Sequence, residues 1–159
     1  MDETNQAWFW RMQRGEAPPP PVAVLLGQRI IRVDVPTGEL EAVYLAADTF
    51  ANPAGHVQGG MLGAMLDALT ASMVDATLNT GERVASLNLN VAFVRPAVAG
   101  ELHGEARLVQ RGRSVAHAEA RLTQHGKVVA SATAVCLVAG RSGLDTPSPT
   151  STDNTETRP

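Results

Sequence analysis

The residues best suited to chemistry lie in Asn52-Pro53-Ala54-Gly55-His56-Val57-Gln58-Gly59-Gly60, followed at helical spacing by Asp67. Two glycines opening a helix let a ligand approach bare backbone, where the first N–H groups have no intrahelical acceptor. Those groups, at the positive end of the helix, suit an oxyanion that develops during attack on a carbonyl. Asp67 lies about two turns further in. Its face also holds Gly60, Gly63, Ala64, Ala71 and Val74, small residues that allow close approach. A carboxylate inside an apolar helix is costly unless it is paired or used. Two readings stay open for it: a base or nucleophile, or a carboxylate hydrogen-bonded to nearby backbone or solvent.

The elements that must position these residues are readable from hydrophobic period. Gln28–Val35 and Glu39–Leu45 read as strands around the turn Pro36-Thr37-Gly38, and Ala47 to Gly55 as a loop. From Gly59 to Leu78 the period changes. Leu62, Leu66, Leu69 and Met73 form the apolar stripe of a helix that Asn79-Thr80-Gly81 ends. In Ser86–Phe93, Leu87, Leu89, Val91 and Phe93 alternate with Ser86, Asn88, Asn90 and Ala92, a period of two. After Arg95-Pro96 come strands at Glu101–Gln110, Ser114–Thr123 and Val128–Val138, with Gly112 and Gly126 in tight connections. A helix this apolar needs cover on much of its surface, and one antiparallel sheet wrapped around it supplies that. The final strand has small and β-branched residues on both parities, as expected for a sheet continued across a subunit interface.

The 159 residues (16.7 kDa) suffice for one domain with a real core. With 44% hydrophobic and 18% charged residues the chain is globular in composition. A net charge of −3 and a pI near 5.8 give no basic footprint for nucleic acid. No apolar run reaches a membrane span, and Met1-Asp2-Glu3 lacks the positive start of a secretory signal. The single cysteine, Cys136, excludes an internal disulfide and reads as core. His103, His117 and His125 are dispersed without metal-ligand spacing, and His56 reads as a solvated loop residue. These features point to a cytoplasmic protein with no nucleic-acid or membrane partner and no metal. Residues 1–21, with Trp8-Phe9-Trp10 and Pro18 to Pro21, read as a short helix and an extended run laid on the domain, or as the wall of an apolar pocket. The domain occupies 22–140. Residues 141–159 are Ser, Thr, Asp and Pro-rich, the composition of a disordered tail.

The run Asn52-Pro53-x-Gly55-x-Val57-Gln58-Gly59-Gly60-Met61-Leu62 with Asp67 resembles the hotdog-fold acyl-CoA thioesterases of the phenylacetic-acid-degradation (PaaI-like) family. Phe93-Val94-Arg95-Pro96-Ala97, Gly100, Gly112-Arg113 and Gly126-Lys127-Val128-Val129-Ala130 are similar to that family as well. The resemblance implies an α+β hotdog fold: a curved antiparallel sheet around one long helix, paired into homodimers or dimer-of-dimers tetramers, with active sites between two chains. It implies Asp67 as the catalytic carboxylate, acting as general base or nucleophile, and the Gly59 amide as the donor that polarises the thioester carbonyl. Asn52 matches a polar residue near that carbonyl, and Ser86 a position that helps hold the water. Many relatives carry His where this chain has Gln58. Glutamine can hydrogen-bond the thioester region but cannot take a proton near neutral pH.

The expected activity is hydrolysis of an acyl-CoA, with a medium-chain or aromatic acyl group, to the free acid and coenzyme A. Coenzyme A belongs to the substrate, and no cofactor is expected. Gly60, Arg95, Arg111, Gly112, Arg113 and Ser114 are the candidates for holding coenzyme A, with Lys127 and Arg83 behind them. The apolar helix and the N-terminal aromatics suit a hydrophobic acyl pocket. The alternatives are a non-catalytic acyl-CoA-binding or regulatory hotdog module, and a hydratase on the same fold. The hydratase lacks its usual His-carboxylate spacing here.

Overall fold

The computed structural model describes residues 7–140. The tail expected over 141–159 and the first six residues of the N-terminal segment lie outside that range. The elements follow in the order α1 (Trp8–Gln13), α2 (Pro21–Leu25), β1 (Arg29–Asp34), β2 (Glu39–Ala46), a 3₁₀ turn (Asp48–Phe50), α3 (Gly59–Asp75), β3 (Glu82–Phe93), β4 (Gly100–Arg111), β5 (Val115–Gln124) and β6 (Lys127–Gly140). One six-stranded sheet has the spatial order β1-β2-β4-β5-β6-β3, with every neighbour antiparallel. It wraps α3, which touches β2 through β6. This is the hotdog arrangement.

The predicted stripe is the buried face of α3. Leu62, Met65, Leu66, Leu69 and Met73 are within 3% of complete burial. They meet Leu40, Tyr44, Leu102 and Leu122, together with the alanines at 106, 120, 130 and 132, on the inner face of the sheet. The small sheet residues let the helix sit close. At Gly104 a Cβ would lie 2.8 Å from Leu69 Cδ2 and 3.1 Å from Tyr44 Cε2, so only glycine fits there without displacement. A second cluster, with Val74, Leu78, Ala116, Ala118, Ala134, Cys136 and Val138, fills the far end.

Four details differ from the expectations. The helix ends at Asp75, three residues short of Leu78. The last proline of the run, Pro21, is not extended but starts α2, where its fixed φ suits the first helical position. β6 lies inside the sheet, between β5 and β3, and not at its margin. Its small residues Ala130, Ala132 and Ala134 face the helix, and the two edge strands are β1 and β3. Finally, the alternation of β3 is interrupted. Ser86 pairs with Cys136 and Asn88 with Val135, so Leu87 is an extra residue with no partner. This bulge shifts the parity. Val84 lies against the inner cluster on one side of it, and Leu89 and Val91 pack inward on the other. Leu87, a member of the alternating apolar set, is 59% exposed.

α1 is fixed to the body by Phe9, which is 2% exposed, and by Trp10, whose Nε1 donates to the Ala76 carbonyl at 3.1 Å. The hydrogen bond satisfies one of the orphan carbonyls at the end of α3. On the opposite side of α3, the Gln28 amide donates to Tyr44 Oη at 2.9 Å and to Ser72 Oγ at 3.3 Å, and burial pushes the Tyr44 phenol up.

Candidate active site

The loop before α3 is built by Asn52. Its Oδ1 accepts from the N–H groups of Ala54 (2.9 Å) and His56 (3.1 Å), and its own N–H donates to the His56 carbonyl at 2.7 Å. Gly55 supplies the positive φ (79°) that closes this turn. Asn52 therefore shapes the entrance to the helix through its oxygen, leaving its amide nitrogen outside that turn. The strand-like exit is pinned by Val57 N–H to Ala97 O and Gln58 N–H to Phe50 O, both 2.8 Å.

Gln58 is the N-cap of α3, and no side chain caps the helix. Its carbonyl accepts from Met61 and Leu62. The N–H groups of Gly59 and Gly60 have no acceptor among the described residues. Gly59 is overlaid by Phe93: a Cβ there would come within 3.1 Å of the ring. The sequence offers Phe93 as a strand position and as part of the family-like run Phe93 to Ala97, but not as a neighbour of Gly59. Its spacing from Gly59 carries no local signal, because a tertiary contact brings the two together.

Asp67 is half-buried, and Ser86 Oγ donates to its Oδ1 at 2.6 Å. The bulge at Leu87 sets this contact, because it leaves Ser86 on the helix side of β3 while the following residues resume the opposite alternation. Cys136, fully buried, sits across from Ser86. Burial pushes its thiol up, and the charge of Asp67 adds to the shift. The cysteine is therefore a closed, unreactive neighbour of the pair.

A 17-residue helix rises about 1.5 Å per residue, so Gly59 and Asp67 lie about 12 Å apart along α3. One carbonyl cannot touch both, since a donor and a base each within ~3 Å of the reacting group must lie much closer to each other. Within one protomer the bare Gly59 N–H and the Asp67 carboxylate therefore cannot serve the same carbonyl.

The candidates for holding coenzyme A fall at opposite ends of the helix. Gly60 and Arg95 belong to its start. The Arg95 guanidinium is exposed and donates to the Val128 carbonyl at 2.9 Å, with Lys127 exposed nearby in sequence. Arg111, Gly112, Arg113 and Ser114 form the β4–β5 turn beside the far end. Arg111 is half-buried and reaches Thr77 Oγ1 (3.2 Å), Glu82 Oε2 (3.4 Å) and the Gly112 carbonyl. It clamps the hairpin to the start of β3. Gly112 N–H donates to Val115 O at 2.8 Å, while Arg113 and Ser114 are exposed. Among the histidines, His103 meets Glu101 at 3.1 Å, and His125 takes a positive φ (51°) in the turn with Gly126. Among the described residues no group of three or more metal-ligating side chains converges, and no helix is long and apolar enough to cross a membrane.

Comparison with known proteins gives one answer at two levels. The acyl-CoA thioesterase N-terminal domain family matches residues 49–137. A phenylacetic acid degradation-related protein from Ralstonia eutropha JMP134 is 56% identical, over 82% of this chain and 98% of its own, with a TM-score of 0.81. A thioesterase from Haemophilus influenzae (20% identity, 75% and 82% covered, TM-score 0.68) and a mutant thioesterase from Pseudomonas aeruginosa (22%, 75% and 86%, 0.69) share the fold. Curated proteins give no match. The family match spans the whole Asn52-to-Asp67 segment and Ser86. This chain belongs to the acyl-CoA thioesterases of hotdog fold, and it is a thioester hydrolase.

Proposed function

We propose that the protein acts as a homodimer on acyl-CoA thioesters with a medium-chain or aromatic acyl group, and that each active site takes its base from one protomer and its oxyanion donor from the other. The single observation behind this reading is the separation of the Asp67–Ser86 pair from the bare Gly59 N–H, about 12 Å along one helix. A two-fold axis passing near Gly63 removes that separation. It sets two α3 helices antiparallel and places the partner's Gly59 opposite Asp67. The stripe Gly60, Gly63 and Ala64 is small and only partly covered, which suits close approach of two helices. The free edge of β3 lies alongside, with Leu87 (59%), Phe93 (57%) and Val94 (50%) exposed. Burying such a row between protomers is favourable, and pairing the edge removes unsatisfied strand groups.

In this site the thioester oxygen accepts from the partner's Gly59 N–H, with the Asn52 and Gln58 amides near it. Asp67 takes a proton from water, or attacks directly, while Ser86 orients the carboxylate and the water. The thiolate of coenzyme A leaves without a strong acid, so a glutamine at position 58 is compatible with turnover. The exposed cations Arg95, which also donates to the Val128 carbonyl, and Arg113 would meet the phosphates of coenzyme A. The test is thiol release from a panel of short, medium, long, branched and aromatic acyl-CoAs, by the native protein and by Asp67→Asn. Asp67→Asn is expected to lose at least a hundredfold in kcat with an unchanged Tm. Undiminished hydrolysis by that variant would reject the assignment.

A further inference from the structure

α1, the C-terminal end of α3 and the start of β3 enclose a cleft of about 610 Å³. Its apolar lining includes Trp8, Phe9, Leu78 and Val84, and two carboxylates line it, Asp75 from the end of α3 and Glu82 from the start of β3. Burial pushes Asp75 up to about 6, and among the described residues no hydrogen bond or ion pair reaches its side chain. Arg11 and Arg83 also line the cleft and are exposed, but neither is ion-paired with Asp75, and Glu82 is engaged by Arg111 and the Asn79 N–H. The cleft lies farther along α3 and β3 than the Asp67–Ser86 pair. From Asp67 to Asp75 the helix advances about 12 Å, and from Ser86 to Glu82 β3 runs back about 13 Å. Burial, and after it the charges of Asp67 and Asp75, raise the Cys136 thiol. Val84, two residues from Ser86, already lines the cleft.

We propose that this cleft receives the far end of the acyl group, and that Asp75 selects acyl groups ending in a hydrogen-bond donor, a hydroxyl or a protonated amine. The inference rests on the hydrolytic reading above and names the substrate class of that site. An ionised carboxylate held among apolar side chains is costly, and a donor on the ligand relieves that cost. A methyl terminus there leaves the carboxylate desolvated and unpaired, which is the arrangement that discriminates most strongly against an analogue. The aromatic wall at Trp8 and Phe9 suits either donor, because a cation also gains from the ring face.

The experiment compares acyl-CoAs of one medium length that differ only at the terminus: methyl, hydroxyl, ammonium or carboxylate. The full-length protein is expected to favour hydroxyl or ammonium over methyl by about 10- to 100-fold in kcat/KM. The ratio between those two arms tells which donor is recognised. Asp75→Leu is expected to reverse the order. The isosteric Asp75→Asn, which serves if the leucine variant does not fold, is expected to lose the ammonium preference and keep part of the hydroxyl one. A native preference for methyl or carboxylate overturns the proposal, and so does a terminus ratio unchanged in both variants. Non-hydrolysable thioether analogues of the same four esters, followed by tryptophan fluorescence, separate the two readings. Donor-selective binding without thiol release sinks the hydrolytic reading alone. Hydrolysis without donor selectivity sinks the role of Asp75 alone.

Discussion

Mixing two inactive variants tests the shared site more sharply than either variant alone. Gly59→Pro removes the N–H that is assigned to the thioester oxygen. Proline is tolerated at the first position of a helix, and Gln58 already has an extended backbone (φ −57°, ψ 134°), as a residue before proline requires. The steric cost is small, because the nearest atom to a new Cβ is the Phe93 ring at 3.1 Å, the far end of a side chain on an exposed edge. Loss of one oxyanion donor lowers kcat by about 100- to 1000-fold. Gly59→Ala adds the same Cβ and keeps the N–H, so it is expected to stay within a few-fold of the native rate. Gly59→Pro is then refolded with an equal amount of Asp67→Asn. Random pairing makes about half of the dimers mixed. Each mixed dimer holds one doubly damaged site and one intact site, so thiol release is expected to recover to about a quarter of the native rate. No recovery in a mixture shown by mass spectrometry to contain mixed dimers would refute the division of the site between protomers.

Three further outcomes follow from particular contacts. Ser86→Ala removes the 2.6 Å hydrogen bond to Asp67 at an exposed position. It is expected to lower kcat by about 10- to 100-fold, with KM and Tm little changed, as steady-state kinetics and thermal unfolding will show. Gly104→Ala forces a methyl within 2.8 Å of Leu69 Cδ2 and is expected to cost about 1–3 kcal/mol, read as a lower urea midpoint with an unchanged slope. Asp75 has a folded-state pKa of about 6, above its ordinary value. The fold therefore favours the protonated form: the favourable contribution is complete below about pH 4 and is lost as pH rises to about 6. After allowance for partial exposure, Asp75→Asn is expected to be more stable than the native protein by about 1–2 kcal/mol at pH 7.5, with the difference vanishing near pH 4.

The helix and its buried stripe were legible because Leu62, Leu66, Leu69 and Met73 repeat at a local period that survives any tertiary arrangement. Asp67 was legible for a related reason, since a carboxylate on an otherwise apolar helix breaks the pattern and asks for a partner. What stayed hidden depends on residues far apart in the chain. The pattern Leu87, Leu89, Val91, Phe93 reads as one uninterrupted face. The bulge at Leu87 is visible only once β6 pairs alongside and Ser86 and Asn88 are found opposite consecutive residues. Asp75 looks like an ordinary polar helix end. Its cost appears only when α1, more than 60 residues upstream, folds over it.

The bulge explains how one strand meets three demands that a regular strand cannot. β3 pairs with β6, points Ser86 at Asp67 and, in the proposed dimer, offers an apolar edge to a second protomer. Regular alternation through Leu87 would put Ser86 and Leu89 on opposite faces, so the strand could meet Asp67 or pack its later half against α3, but not both. One unpaired residue resolves the conflict, turning Ser86 inward with Val84 while Leu89 and Val91 remain in the core. The displaced Leu87 becomes an exposed apolar residue beside Ser86, on the edge where the proposed dimer would place the second protomer. The interruption in β3 thus absorbs Leu87 without taking Ser86 or the core residues off the helix side, and deleting Leu87 would leave Ser86 and Leu89 two apart on that same side, removing only the exposed apolar residue.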